Sequence, residues 1–159
     1  MTTVTRSYRF SASHRLHCRY LSDAENTRLY GKCNNPFGHG HDYTLEVTVS
    51  GPVDAVTGRI VPLASLDRLI ESEVLQILAF RNLNLDVPYF ADTVPTTENL
   101  TLAITTLLQR NWALYIPDAA VRLARVHLQE TGRNGFELPI AASPNGELTS
   151  QSETVTVHG

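Results

Sequence analysis

Asp42-Tyr43-Thr44-Leu45-Glu46-Val47-Thr48-Val49-Ser50 alternates apolar and polar residues without a break. Side chains of an extended chain point to opposite faces in turn, so Tyr43, Leu45, Val47 and Val49 share one face and Thr44, Glu46 and Thr48 the other. That is a strand buried on one side. Gly51-Pro52 ends it, and residues 54–58 read as a turn before a short third strand at Arg59-Ile60-Val61. Upstream, residues 3–13 read as another strand, with Val4, Tyr8 and Phe10 among polar residues, ending in Ser11-Ala12-Ser13-His14. Between the two, residues 21–31 suit a short helix or turn, with Ser22 and Asp23 as candidate N-caps, Glu25 in the first turn and Gly31 as the stop.

Downstream the period changes. Residues 64–78 place Leu66, Leu69, Ile70, Val74, Ile77 and Leu78 on one helical stripe, and residues 97–111 do the same with Leu100, Ile104, Leu107 and Leu108. Thr96 or Thr97 caps the second helix, and Glu98 sits where the helix dipole favours a carboxylate. Asn82 to Val94 reads as a loop. Residues 120–130 return to strand, with an apolar phase that slips between Val121/Leu123 and Val126/Leu128, so a bulge is expected near Ala124-Arg125. A last short strand fits 135–140. The layout is α+β: an antiparallel sheet with two helices packed on one face.

The chain has 159 residues, 42% hydrophobic and 18% charged, which suits one globular domain. We assign it to residues 1–142, with a polar, aperiodic and mobile tail at 143–159. A net charge of −3 without a Lys/Arg cluster argues against a nucleic-acid partner. The N-terminus lacks an apolar signal region, and no run approaches the ~18 apolar residues of a membrane span. A cytoplasmic protein with Cys18 and Cys33 both free is expected.

The chemistry concentrates in Gly31-Lys32-Cys33-Asn34-Asn35-Pro36-Phe37-Gly38-His39-Gly40-His41. On a strand, His39 and His41 reach the same face, and Gly38 and Gly40 remove bulk on either side of His39. His14, at the end of the first strand, is the natural third ligand. Three protein ligands and one open position describe a catalytic zinc. Cys33, in a polar loop beside Lys32 and near that metal, is expected to have a depressed pKa and to act as base or nucleophile. Glu130 has two readings: a carboxylate that accepts two hydrogen bonds from an N–H and NH2 edge, or a solvated strand-end charge. His17, His127 and Cys18 are read as structural.

Six motifs in order carry a resemblance to the 6-pyruvoyl-tetrahydropterin synthases and the related 6-carboxy-tetrahydropterin synthases. They are Tyr8-Arg9-Phe10-Ser11-Ala12-Ser13-His14, Leu29-Tyr30-Gly31-Lys32-Cys33-Asn34-Asn35-Pro36, Gly38-His39-Gly40-His41, Asn82-Leu83-Asn84-Leu85-Asp86-Val87-Pro88, Pro95-Thr96-Thr97-Glu98-Asn99 and Gln129-Glu130-Thr131. The resemblance implies the tunnelling fold, with a four-stranded antiparallel sheet and two helices. Such chains assemble as trimers and then hexamers with active sites between subunits. It further implies zinc on His14, His39 and His41, Cys33 as the proton-abstracting base, Glu130 as anchor of the pterin ring and Thr96-Thr97 lining its pocket. The implied substrate is 7,8-dihydroneopterin triphosphate, from which triphosphate is eliminated.

One departure stands out. The family usually carries Asp-His where this chain has Ala79-Phe80, so the usual partner of the thiol in proton transfer is missing. A milder one puts Asp42 where Asn is common; strand alternation predicts that it points away from the metal. Three functions follow: a pyruvoyl-type lyase; a same-scaffold enzyme with altered chemistry, including the 6-carboxy branch of queuosine biosynthesis; and a non-catalytic pterin binder.

Overall fold

The structure is a computed structural model and describes residues 2–141. The proposed tail at 143–159 lies outside the described residues. Four antiparallel strands form one sheet in the order β1-β2-β3-β4: β1 (Thr2–His14), β2 (His39–Gly51), β3 (Arg122–Thr131) and β4 (Asn134–Pro139). The helices are α1 (Asp23–Tyr30), α2 (Leu63–Ile70), α3 (Gln76–Leu78), α4 (Leu83–Asp86) and α5 (Thr97–Tyr115).

The β2 alternation holds. Tyr43, Leu45, Val47 and Val49 are buried and meet Phe10 and Ala12 of β1 and Val126 and Leu128 of β3. α2 and α5 cover this face with Leu66, Leu69, Ile70, Leu100, Ile104 and Leu108. The expected bulge is present: Thr48 pairs with Arg125 but Val49 with Leu123, which leaves Ala124 as the extra residue. The other face carries polar side chains. There Arg125 bridges Glu46 and Glu137, and His127 Nδ1 lies 3.4 Å from Glu46, well away from the β2 histidines.

Caps follow the sequence closely. Ser22 caps α1 in a reciprocal box with Glu25, and Thr96 rather than Thr97 caps α5 by accepting the Asn99 N–H. Three expectations change. Residues 59–61 form no strand: Val61 is buried in the core, so its apolar character serves packing rather than pairing. The helix expected at 64–78 passes through a π-turn at Glu71–Leu75 between α2 and α3. The wide turn delays the phase, so that Val74 and Leu78 reach the core while Ile77 is left exposed. The loop expected at 82–94 contains α4 and a 3-10 turn at Pro88–Phe90. No helix of the described residues is long and apolar enough to cross a membrane.

Candidate metal centre and active site

Strand register assembles the histidines. β1 and β2 pair so that His14 lies opposite His39 and Ala12 opposite His41, which puts all three imidazoles on the covered face at the open end of the sheet. One ring nitrogen from each lies within 4.8 Å of the others, and His14 Nε2 is 3.2 Å from His39 Nε2.

Gly38 makes this approach possible. Its φ is +70°, and a Cβ there would stand 2.8 Å from the His14 carbonyl oxygen. Gly40 does not share that role. Its nearest neighbour would be the Ala12 carbonyl oxygen at 3.7 Å, so a methyl group fits there.

The donor set suits a cation. His14 is fully buried, and its Nδ1–H donates to the Pro95 carbonyl at 2.8 Å, which leaves the Nε2 lone pair facing the cluster. His41 Nε2 is buried without a hydrogen-bond partner, a state that costs about 1–3 kcal/mol for a polar group left dry. Burial holds the pKa of His14 and of His39 below the usual imidazole value. The Pro95 hydrogen bond opposes the shift at His14, and the neighbouring His41 adds to it at His39. Neutral imidazoles are the ligand form, so these residues could hold a metal ion.

Cys33 sits on a 3-10 turn, Gly31–Asn34, that is tied to the chain leaving β1. The Leu16 N–H donates to the Cys33 carbonyl at 2.8 Å, and Asn34 Nδ2 donates to the Leu16 carbonyl at 2.8 Å. Against the expected depression, burial pushes the Cys33 thiol up, and the charge of Glu130 pushes it further. Lys32 does not outweigh them.

Glu130 is not a solvated strand-end charge. Its side chain is only 9% exposed, and Oε1 lies 3.6 Å from His14 Nε2 and 3.7 Å from His41 Nε2. Oε2 accepts from Asn134 Nδ2 at 2.9 Å, and the same amide donates to Thr97 Oγ1 at 3.1 Å. Thr97 is buried, and Thr96 is engaged in capping α5. Sequence reading missed Asn134, whose only signal is the turn at Gly132-Arg133. It also treated Tyr43 as core alone. Tyr43 stacks on Phe10, and its hydroxyl lies 3.5 Å from His14 Nδ1 and faces Glu130, which together with burial pushes its pKa up.

Asp42 points away from the imidazoles, as alternation requires, and accepts a hydrogen bond from Ser11. Phe80 is on that side too, whereas Ala79 packs against the core. The Phe80 N–H donates to the Ser11 carbonyl at 2.7 Å, and the residue has φ 59°, a strained value for a bulky side chain. Its ring is 88% exposed. With Ser11, Ser13, Gly40, Asp42 and Arg81 it lines an open cavity of about 390 Å³.

A family model described as 6-pyruvoyl tetrahydropterin synthase matches residues 3–139. The chain belongs to the 6-pyruvoyl tetrahydropterin synthase family. Within it, the chain is 49% identical over 131 residues to a 6-pyruvoyl tetrahydrobiopterin synthase of Poecilia reticulata, covering 82% of this chain and 85% of that one. It is 52% identical over 107 residues to the Homo sapiens 6-pyruvoyl tetrahydrobiopterin synthase, covering 67% and 74%. The solved structure of the Caenorhabditis elegans 6-pyruvoyl tetrahydropterin synthase superposes with a TM-score of 0.77 at 37% identity, covering 88% of this chain and 96% of that one. The Plasmodium falciparum family member, 13% identical with a TM-score of 0.56, shares the fold.

Proposed function

We propose that the chain is a zinc-dependent lyase that eliminates triphosphate from 7,8-dihydroneopterin triphosphate, in the manner of the 6-pyruvoyl-tetrahydropterin synthases. One observation carries this reading: three imidazoles, a thiol-bearing turn and a buried carboxylate converge at one end of the sheet. Borderline nitrogen donors with a position left open favour zinc.

The roles divide by chemistry. Glu130 accepts two hydrogen bonds from the N–H and NH2 edge of the pterin ring, held by Asn134 and Thr97, with the Thr96-Thr97 segment forming the wall. Bound zinc supplies Lewis acidity toward the side-chain hydroxyls of the substrate. Cys33 accepts the proton from the adjacent carbon as the bond to triphosphate breaks. A bound cation would offset the burial and the Glu130 charge that push the thiol up. The outer edges of β1 and β4 and the exposed Phe37, Phe80 and Leu85 suit assembly into trimers and then a hexamer. The enzyme works in the cytoplasm.

A second reading rests on Ala79-Phe80. Neither side chain transfers a proton, and Phe80 is held exposed in a strained backbone, so the same scaffold releases a different pterin product. Cys33→Ala tests the base common to both. Product formation falls about 10²–10⁴-fold while metal content stays unchanged; undiminished turnover in that variant removes Cys33 from the mechanism.

A further inference from the structure

We infer that His17 is a hydrogen-bond donor to the triphosphate of the substrate, aimed by Asn34 and flanked by the cations of Arg15 and Lys32. The inference rests on the proposed function, because it takes the triphosphate ester as the ligand.

Backbone geometry brings these residues together. The Leu16 N–H donates to the Cys33 carbonyl at 2.8 Å, so residues 15–17 run beside the turn that bears the thiol. Arg15 is fixed from two sides. Asn84 of α4 accepts its backbone N–H at 2.8 Å and donates to its carbonyl at 3.0 Å, while Arg15 Nε donates to the Asn34 carbonyl at 3.1 Å. That bond spends one guanidinium nitrogen; the two terminal ones have no partner among the described residues. The Lys32 ammonium, exposed on the same turn, has none among them either. Arg19 lies outside the group, because Asp92 holds it.

The second argument is the state of the His17 ring. Asn34 Nδ2 donates to the Leu16 carbonyl at 2.8 Å, which identifies that atom as the amide nitrogen. Its second hydrogen faces His17 Nδ1 at 3.0 Å. Nδ1 is therefore the acceptor, and the ring hydrogen is on Nε2. This N–H has no partner among the described residues and, on a half-buried side chain, is not sealed from a ligand.

Chemistry selects the ligand. One oriented N–H and two unpaired cations beside one turn suit a group that carries several negative charges and acceptor oxygens alone. In the proposed substrate that group is the triphosphate. Cys33 takes its proton from the side chain that bears it, so the leaving group comes within reach of donors flanking the thiol turn. As the carbon–oxygen bond breaks, the electron pair departs with the triphosphate, and a donor already in place stabilises the growing charge. His17 keeps its hydrogen throughout; the contact is a hydrogen bond and not a proton transfer.

Fluorescence titration of the zinc-loaded chain with neopterin and with neopterin triphosphate reads the contact. Both probes carry the oxidised, fluorescent ring and differ only in the triphosphate. Wild type is expected to bind the ester about tenfold or more tightly than neopterin, by a margin that shrinks as salt rises. His17→Phe keeps a flat ring without an N–H, and loses about tenfold for the ester and less than about twofold for neopterin. His17→Gln retains an N–H donor and recovers most of the ester affinity. Equal affinity of wild type for the two probes would overturn the inference and leave the metal and ring reading standing. So would a nitrogen-15 spectrum of the wild-type imidazoles that puts the His17 hydrogen on Nδ1; neither measurement needs a variant. A His17→Phe loss that is the same for both probes would mark a merely structural role and overturn it too. Failure of wild type to bind either probe would overturn the proposed function and the inference with it.

Discussion

Gly38→Ala places a methyl carbon 2.8 Å from the His14 carbonyl oxygen and 3.3 Å from its carbonyl carbon, at a backbone φ of +70°. Two costs add. An L residue in the left-handed region loses about 1–2 kcal/mol. The clash is with backbone, which cannot rotate aside, and overfilling of a packed site costs about 1–3 kcal/mol more. The expected loss is therefore about 2–5 kcal/mol in urea unfolding of the metal-free protein. Gly58→Ala is the control: its φ is +67°, but nothing lies within 4 Å of the added carbon, so only the conformational cost of about 1–2 kcal/mol applies. The two variants also separate in function. Any shift that relieves the Gly38 clash moves His39 away from His14, so zinc affinity in a chelator competition falls by at least tenfold, whereas Gly58→Ala binds zinc like wild type. Equal stability losses in the two variants, with zinc affinity unchanged in both, would refute the argument that Gly38 exists to close the histidine cluster.

Two further outcomes are expected. Asn26 is fully buried and donates to the carbonyls of Cys18, Leu21 and Ser22 while accepting the Cys18 N–H, so Asn26→Ala costs about 2–4 kcal/mol in urea unfolding; a loss below 1 kcal/mol would mean that water replaces these bonds. Burial lowers the His14 and His39 pKa values in the folded state, so the unfolded chain takes up protons first as pH falls. The stability of the metal-free protein is then complete above about pH 6.5 and declines as pH falls toward the lowered folded values, with His14→Gln flattening the slope; a urea midpoint that rises on acidification would contradict this.

Much of the fold is legible because it is written in local patterns. The β2 alternation, the Ser22–Glu25 box, the Thr96 cap and the slipped phase at Ala124 each depend on residues close in sequence. Arg59-Ile60-Val61 misleads for a physical reason: burial of Val61 against the core produces the same apolar signal as strand pairing, and only a partner strand distinguishes them. The π-turn at Glu71–Leu75 leaves no composition cue, and Ile77 falls off the stripe with it.

In the site, the histidines are legible through spacing and family motifs, whereas the surroundings of Glu130 are not. Its contacts with Asn134, His14 and His41, and the Asn134 bond to Thr97, join β3, β4, β1, β2 and α5, and depend on tertiary register. The thiol is the instructive case. The Lys32-Cys33 neighbourhood reads as activating, yet burial and a carboxylate brought in from β3 act the other way.

The central claim is tested most directly by incubating zinc-loaded protein with 7,8-dihydroneopterin triphosphate and following products by mass-resolved chromatography. The expected result is a tetrahydropterin product with one triphosphate released per turnover, lost when zinc is removed by chelation and restored when it is returned. Intact substrate at high protein concentration, or turnover indifferent to chelation, would contradict it.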